Sequence, residues 1–400
     1  MGTENKHQPV ILHLVTWYPS SDTDVSGIFT RRQIELLSEN NQYRHVIVKR
    51  SITPFSIIDQ VKSLFGLFVK IQVGKMQVIM LPDEKALNRP FFWRFKNWFE
   101  QKQMDVLIRY FKPALLHLHV VYGFANEAME LKKKRGTPFV VSEHMAPFPF
   151  EWIHNKDAYI IKPMQQAAAV VAVSTAQAKQ INEVTGVKPV IIHNVVKPGE
   201  FYFYEKKKEE TSIGLQLVLV GIYDSRKGAD YLLSTLPSFL QTHPNTMLHL
   251  VGEASTERMA SLRAIIAAEG IEEAVCFHGK LSATSLCKLY HQCDFYVCSS
   301  EWESFGVSVL ESLFAGVPVL ATDCGGVSEF MNTNNGIIIE NDRKKTTLLM
   351  GLLKMADRLK EFNRKHISAE AIERFAGERI KEQYFSLYQK VIAVNQQAGN

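Results

Sequence analysis

Short apolar runs rich in branched residues recur along the chain, each followed by a polar loop and then by a stretch with helical spacing. The first is VILHLV at 10–15. A run without polar alternation suits a strand buried on both faces, the condition met in a parallel sheet covered by helices. The loop after it contains Pro19, Ser20, Ser21, Asp22 and Gly27, which oppose regular structure until a helix begins near Phe29. ALLHLHV (114–120), PFVVS (138–142), AAAVVAVS (167–174) and PVIIHN (189–194) continue the series.

The composition then changes at FYFYEKKKEETSIG (201–214), whose charge run reads as a linker. A second series opens with LQLVLVG (215–221), a loop IYDSRKG and an amphipathic helix with Tyr231, Leu232 and Leu236; MLHLVGEA (247–254), VCFHGKLS (275–282) and DFYVCSS (294–300) follow. The pattern predicts an α/β protein with two parallel-sheet domains, 1–198 and 213–373, joined by a linker at 199–212. From Arg374 to about 395 the tail is helical by periodicity, with Ile380, Tyr384, Phe385, Tyr388 and Ile392 on or near one face.

The stretch with the most chemistry runs from Trp302 to Phe330. Glu303 and Glu311 stand eight positions apart, and Ser304-Phe305-Gly306 turns the chain into a helical apolar run at Val307, Leu310, Leu313 and Phe314. Gly316 and Pro318 end it as a C-terminal glycine and a helix-breaking proline do. A helix start with free amides attracts an anion, because unpaired donors and the positive end of the dipole point the same way. A ligand carrying phosphate beside hydroxyl groups would use the amides for one and the carboxylates for the other. Water-facing glutamates on an ordinary amphipathic helix are the alternative.

The run SSEWESFG…ESLFAGVPVLATDCGG resembles the Glu-x7-Glu signature of the family 4 retaining glycosyltransferases. The resemblance implies the GT-B fold, two Rossmann-like domains facing across a cleft, and a nucleoside diphosphate sugar as donor. On the family's pattern Glu303 binds hydroxyls of the donor sugar, Glu311 the nucleotide ribose, and the backbone around Ser304, Phe305, Gly306 and Val307 the diphosphate or sugar. Lys227 matches the diphosphate-binding lysine. The arginine usual after the strand glycine is Ile222 here, and Arg226 either replaces it or points into solvent. Gly279 begins a loop that contacts the nucleobase through backbone groups. In the first domain Gly27 matches the glycine loop near the diphosphate and acceptor, and TPFVVSEH places His144 close to the transferred sugar; a structural histidine is the alternative for His144. The last helix is expected to pack back on the first domain.

Composition adds limits. With 46% apolar and 22% charged residues in 400, the chain is long enough for two cores. MGTENKHQPV lacks the apolar core of a signal peptide, no uncharged run reaches the length of a bilayer span, and five cysteines without Cys-x-x-Cys favour reduced thiols, so a cytoplasmic location is expected, extending to the inner face of the membrane. Residues 1–198 carry 25 basic against 16 acidic side chains, the remainder 21 against 25. That basic half faces either an anionic surface or only solvent. In 91–110, Phe91, Phe92, Phe95, Trp98 and Phe99 fall within an arc of roughly 120° on a helix, with Arg94 and Lys96 beside them: either a peripheral membrane contact or a core helix.

No metal or other cofactor is expected. Asp22-Thr23-Asp24 reads as a solvated turn, His117 and His119 as structural, and Walker, GxGxxG and HExxH motifs are absent from the sequence. Nucleic-acid binding would rest on charge alone and is not expected. The expected activity is retaining transfer of a hexose or N-acetylhexosamine from a nucleoside diphosphate sugar to a glycan or lipid-linked acceptor, in cell-surface polysaccharide or lipid-linked oligosaccharide synthesis. The alternatives are a nucleotide-sugar epimerase of GT-B fold and a non-catalytic nucleotide-sugar-binding subunit.

Overall fold

The computed structural model describes residues 8–21, 24, 26–51, 57–82, 93–197, 199–205, 214–222, 224–375 and 377–398. It divides into two compact units, Met1–Asn194 with Glu378–Asn400, and Val195–Gly377. The last helix, Gly377–Ala398, therefore joins the first unit almost from its start. Of the expected linker, 206–212 lies outside the described residues, while Phe201 is already buried, its ring near Tyr290 of the second unit.

The first unit is built on strands β1 (Val10–Val15), β2 (Arg44–Ser51), β3 (Val69–Val73), β4 (Met76–Pro82), β5 (Leu115–His119), β6 (Phe139–Ser142), β7 (Ala169–Ala172) and β8 (Val190–Ile191). Their order is β3-β4-β2-β1-β5-β6-β7-β8, all parallel except β3 on β4. Every residue of β1 and β5 is buried, as the unbroken apolar runs require. The edge hairpin β3–β4 turns at Gly74-Lys75 with positive φ at the glycine; its exposed strand alternates half-buried and exposed positions. It arose in a segment where the sequence suggested no strand.

Because side chains alternate across a strand, His13, His117 and His119 share one face with His45. His13 bridges the others: its Nδ1 is 2.9 Å from His119 Nε2 and its Nε2 2.8 Å from His45 Nδ1. His117 meets the Tyr388 hydroxyl through Nδ1 (2.6 Å) and Ser142 Oγ through Nε2 (2.8 Å). Tyr384 hydroxyl also reaches Ser142 Oγ, so polar groups as well as the apolar stripe of Gly377–Ala398 hold that helix to the sheet. One nitrogen of each of His13, His117 and His119 lies within 4.8 Å of the others.

The helix Trp93–Phe111 buries Phe99, Gln103, Met104, Leu107 and Ile108, while Trp98 is half exposed. Phe99 thus belongs to the core, not to a face shared with Trp98; the side chains of 91–97 lie outside the described residues. No helix among the described residues is long and apolar enough to cross a membrane.

The second unit carries β9 (Gln216–Val220), β10 (Met247–Val251), β11 (Val275–Gly279), β12 (Phe295–Cys298), β13 (Val319–Thr322) and β14 (Gly336–Ile339), ordered β11-β10-β9-β12-β13-β14 and parallel throughout. The chain moves outward from β9 in one direction and, after β12, in the other. Connections leaving β9 and β12 diverge there, opening a crevice at the carboxyl ends of the strands. In the first unit the same reversal falls between β1 and β5.

Burial holds five of the first unit's histidines neutral. The pKa of His45 is pushed to about 4 and those of His117 and His144 to about 3, while His13 and His119 lie well below 6.5. The unfolded chain protonates them near pH 6.5, so their contribution is fully present above that value and is lost as pH falls below it, each by up to about 1.4 kcal/mol per pH unit. The thermal midpoint is expected to fall steeply from pH 6.5 toward about 4, and His45→Gln is expected to make the decline shallower.

Candidate functional site

At the crevice of the second unit, β9 ends on Gly221, and Ser225–Lys227 forms one turn of 3-10 helix before the helix Ala229–Leu240. Asp224 caps that turn by accepting from the Arg226 amide. Gly228, at φ 74°, joins turn to helix; a Cβ there would lie 1.9 Å from Ser299 O, and Ser299 Oγ donates to Gly228 O at 2.8 Å. Lys227 runs back over Gly221 toward the β12 connection.

There its Nζ donates to Glu303 Oε1 at 2.7 Å, and Ser300 Oγ donates to the same oxygen at 2.7 Å. Both charged side chains are largely withdrawn from water, 21% and 10% exposed. Glu303 is fixed through its backbone: its N–H donates to Cys324 O at 2.7 Å and its carbonyl accepts from Gly326 at 2.8 Å. A Cβ on Gly326 would fall 2.2 Å from Ser304 O, which explains why the loop after β13 pairs glycines where it meets the Glu303 strap.

The helix Val307–Phe314 starts at Gly306, φ 89°, with no side-chain cap. Phe305 is fully buried, its ring against Phe330 and Phe375, so only its backbone can meet a ligand; Ser304 and Val307 are half buried. Glu311 is buried within this helix at 7% exposure. Gly279 closes β11 at φ 62° with open space about it.

Ile222 is wholly buried, so that position presents no cation. Arg226 turns onto its own loop: its guanidinium grips Asp224, with Nε 3.0 Å from both carboxylate oxygens. A cation the sequence reading missed lies closer. Arg258, at the start of the helix Thr256–Glu269, points Nε at Ile222 O (3.4 Å) and binds Asp230 through Nη1 at 2.8 Å, while its buried Nη2 has no hydrogen-bond partner among the described residues. Only the fold places this arginine beside Ile222. Ser300 was missed for the same reason.

In the first unit Gly27, φ 70°, starts the helix Ile28–Ser38, and a Cβ on it would meet Trp17 O at 2.3 Å. The Asp24 carboxylate accepts from the amides of Ser20 and Ser26, closing the loop on itself; Asp22 and Thr23 lie outside the described residues. His144 follows β6, 7% exposed, its ring tilted by 39° against Phe29 at 4.6 Å between centroids; the Asn194 side chain lies beside it, but neither ring nitrogen meets hydrogen-bond geometry among the described residues. Burial keeps the ring neutral, so it can donate from one nitrogen and accept at the other. Glu143, pushed up to about 7 by burial, accepts from the amides of Val121, His144 and Met145, setting the loop that carries His144.

Comparison with known proteins bears on both units. The model of glycosyl transferases group 1 matches residues 203–366, and that of glycosyltransferase family 4 matches 61–200. The chain belongs to the group 1 glycosyltransferases of family 4. This family 4 chain is 29% identical over 203 residues to an uncharacterized glycosyltransferase of Methanocaldococcus jannaschii, covering 46% of this chain and 51% of that one. It is 26% identical over 240 residues to the GDP-mannose:cellobiosyl-diphosphopolyprenol alpha-mannosyltransferase of Xanthomonas campestris, 57% and 61% covered. These matches span between half and two thirds of the relatives' own lengths. The solved Anabaena protein HepE in complex with UDP superposes with a TM-score of 0.73 at 16% identity, covering 95% of this chain and 99% of that one. The architecture is that of the GT-B fold.

Gly228→Ala is expected to lower stability by upwards of about 1 kcal/mol, since its φ and the Ser299 carbonyl both oppose a side chain. The thermal unfolding midpoint checks it.

Proposed function

We propose that the protein moves a hexose or N-acetylhexosamine from a nucleoside diphosphate sugar to a glycan or lipid-linked acceptor, with retention of anomeric configuration. The observation that carries this is the Lys227–Glu303 pair at the strand-order reversal, beside the uncapped start of Val307–Phe314. The diphosphate would draw Lys227 from Glu303 and accept from the amides at Ser304 to Val307. Glu303, freed from the lysine and still held by Ser300, would accept from sugar hydroxyls, and Glu311 would take the ribose. Arg258, more than Arg226, supplies the cation that Ile222 lacks, with Nη2 left to donate. Gly279 is assigned to the nucleobase loop, and Gly27 and His144 to the acceptor and transferred sugar.

Departure of the diphosphate builds negative charge at Lys227 and the helix amides, so their stabilisation is greater in the transition state than in the bound donor. No covalent nucleophile is assigned: the acceptor hydroxyl attacks the face the leaving phosphate vacates, passing its proton to that phosphate. Charge on the diphosphate is met by side chains and amides, so no metal is assigned to the step. UDP in the Anabaena neighbour supports a nucleotide donor, and the Xanthomonas relative's name supports a lipid-linked acceptor. We assign contact with an anionic inner membrane face to the exposed apolar side chains Ile58, Val61, Phe65 and Leu67 and to Trp98.

A second reading, a nucleotide-sugar-binding subunit without turnover, is favoured by buried Ile222. One experiment separates them: thermal shifts against UDP, GDP, ADP and their sugar conjugates, followed by transfer assays with the series that binds. One nucleotide is expected to raise the midpoint, an effect lost in Glu311→Ala. Lys227→Ala and Glu303→Gln are each expected to lower turnover about 10²–10³-fold. Binding without turnover supports the second reading, and no shift with any nucleotide rejects both.

A further inference from the structure

The outer strands of the second sheet carry three ligand-capable side chains that the transfer reaction does not use. His249 on β10 and Cys276 on β11 are register partners, and His278 stands two residues beyond Cys276, on the same face. The register slips between Leu250 and Val251, which sits opposite Gly279, so His278 has no partner position of its own in the ladder. One nitrogen of each histidine and the Cys276 sulfur all lie within 4.8 Å of one another. The three residues are half buried, open enough for an ion to reach them.

Gln216 on β9 sets the protonation pattern. Its Oε1, which can only accept, lies 2.9 Å from His249 Nε2, so that nitrogen carries the proton and Nδ1 presents its lone pair. His278 Nε2 is 2.8 Å from that Nδ1 and is therefore the donor. A proton thus occupies the point between two nitrogens where a cation would sit, with a thiol beside it. Gln216 is the outer partner that a metal-bound imidazole ordinarily has, orienting the ring and holding its tautomer.

We propose that His249 Nδ1, His278 Nε2 and Cys276 Sγ bind one divalent d-block cation of the zinc class, with a fourth position open to water. Two imidazoles and a thiolate form a borderline-soft donor set suited to zinc, whereas magnesium and calcium take oxygen ligands. On binding, two metal–nitrogen bonds and one metal–sulfur bond form. The His278 proton moves from Nε2 to Nδ1, and the thiol proton leaves to solvent, one per ion. The ion would tie the edge strand β11 to β10 immediately before Gly279, away from the Lys227–Glu303 pair.

The test uses the full chain stripped with a chelator and titrated with Co²⁺, then Zn²⁺. A thiolate-to-cobalt charge-transfer absorption is expected to saturate at one ion per chain, with one proton released, and to vanish on addition of Zn²⁺. Cys276→Ser is expected to abolish it, and Gln216→Ala to weaken affinity about tenfold to a hundredfold. Cys287, whose Sγ is 3.7 Å from His291 Nε2, is the competing thiol, and Cys287→Ser is expected to leave the signal intact. His278→Ala, at a partly exposed ring, carries the same test should Cys276→Ser fail to fold. Absence of the absorption, or its survival in either Cys276→Ser or His278→Ala, would overturn the site.

Discussion

An ammonium and a carboxylate held 2.7 Å apart, one from each of two diverging loops, are the contact on which the second unit's site depends. Neither group is placed by its own loop alone. Lys227 is brought there by a tight turn that Gly228 permits and Ser299 locks, Glu303 by a backbone strap to 324–326. Little water reaches the pair, so each charge needs the other or an equivalent partner. An anion for the lysine and hydroxyl groups for the glutamate are such equivalents, and a phosphorylated sugar offers both.

The first unit answers the same geometry with the opposite electrostatics. Its strand-order reversal is bordered by neutral histidines and a carboxyl group whose pKa burial raises toward neutrality, not by an ion pair. Polar side chains inside that sheet survive because they find partners on a neighbouring strand, on the last helix or, for Lys49, in the loop after β1. His117, between Tyr388 and Ser142, links the chain's final helix to β5 and β6. His144 is the exception: neither ring nitrogen meets hydrogen-bond geometry among the described residues, with the Asn194 side chain beside it.

The histidines of the two sheets differ in a way that burial explains. The first cluster is dry, and His117 already has both nitrogens engaged, so it serves as internal scaffolding. The second, on β10 and β11, is reached by solvent, includes a thiol, and has one histidine fixed in the tautomer a cation needs. Similar residues in similar strands therefore do different work according to depth and to the neighbour on the third strand.

Much of this was legible in the chain. Unbroken apolar runs marked β1 and β5 to β12, because burial on both faces removes polar alternation, whereas β2, whose apolar centre is flanked by Arg44, Lys49 and Arg50, and β14 were not marked. Glycine followed by helical spacing marked Gly27, Gly228 and Gly306, because each helix must start where a side chain would collide with a carbonyl or a neighbouring side chain. The hairpin β3–β4 was not legible, since its short edge strand carries only a weak alternation. The fold decided for the core at Phe99, one of the two readings open for its helix, since helical period groups residues by face without saying which face meets the core. By itself the sequence determined the two series of strands and helices and the residue types at their ends. The tertiary structure alone decided that Lys227 meets Glu303 across 76 residues, that Arg226 is held by Asp224 while Arg258 comes beside Ile222, and that Gln216 governs His249. Periodicity describes a segment one residue at a time. Partners come from strand order and register, which the whole chain sets together.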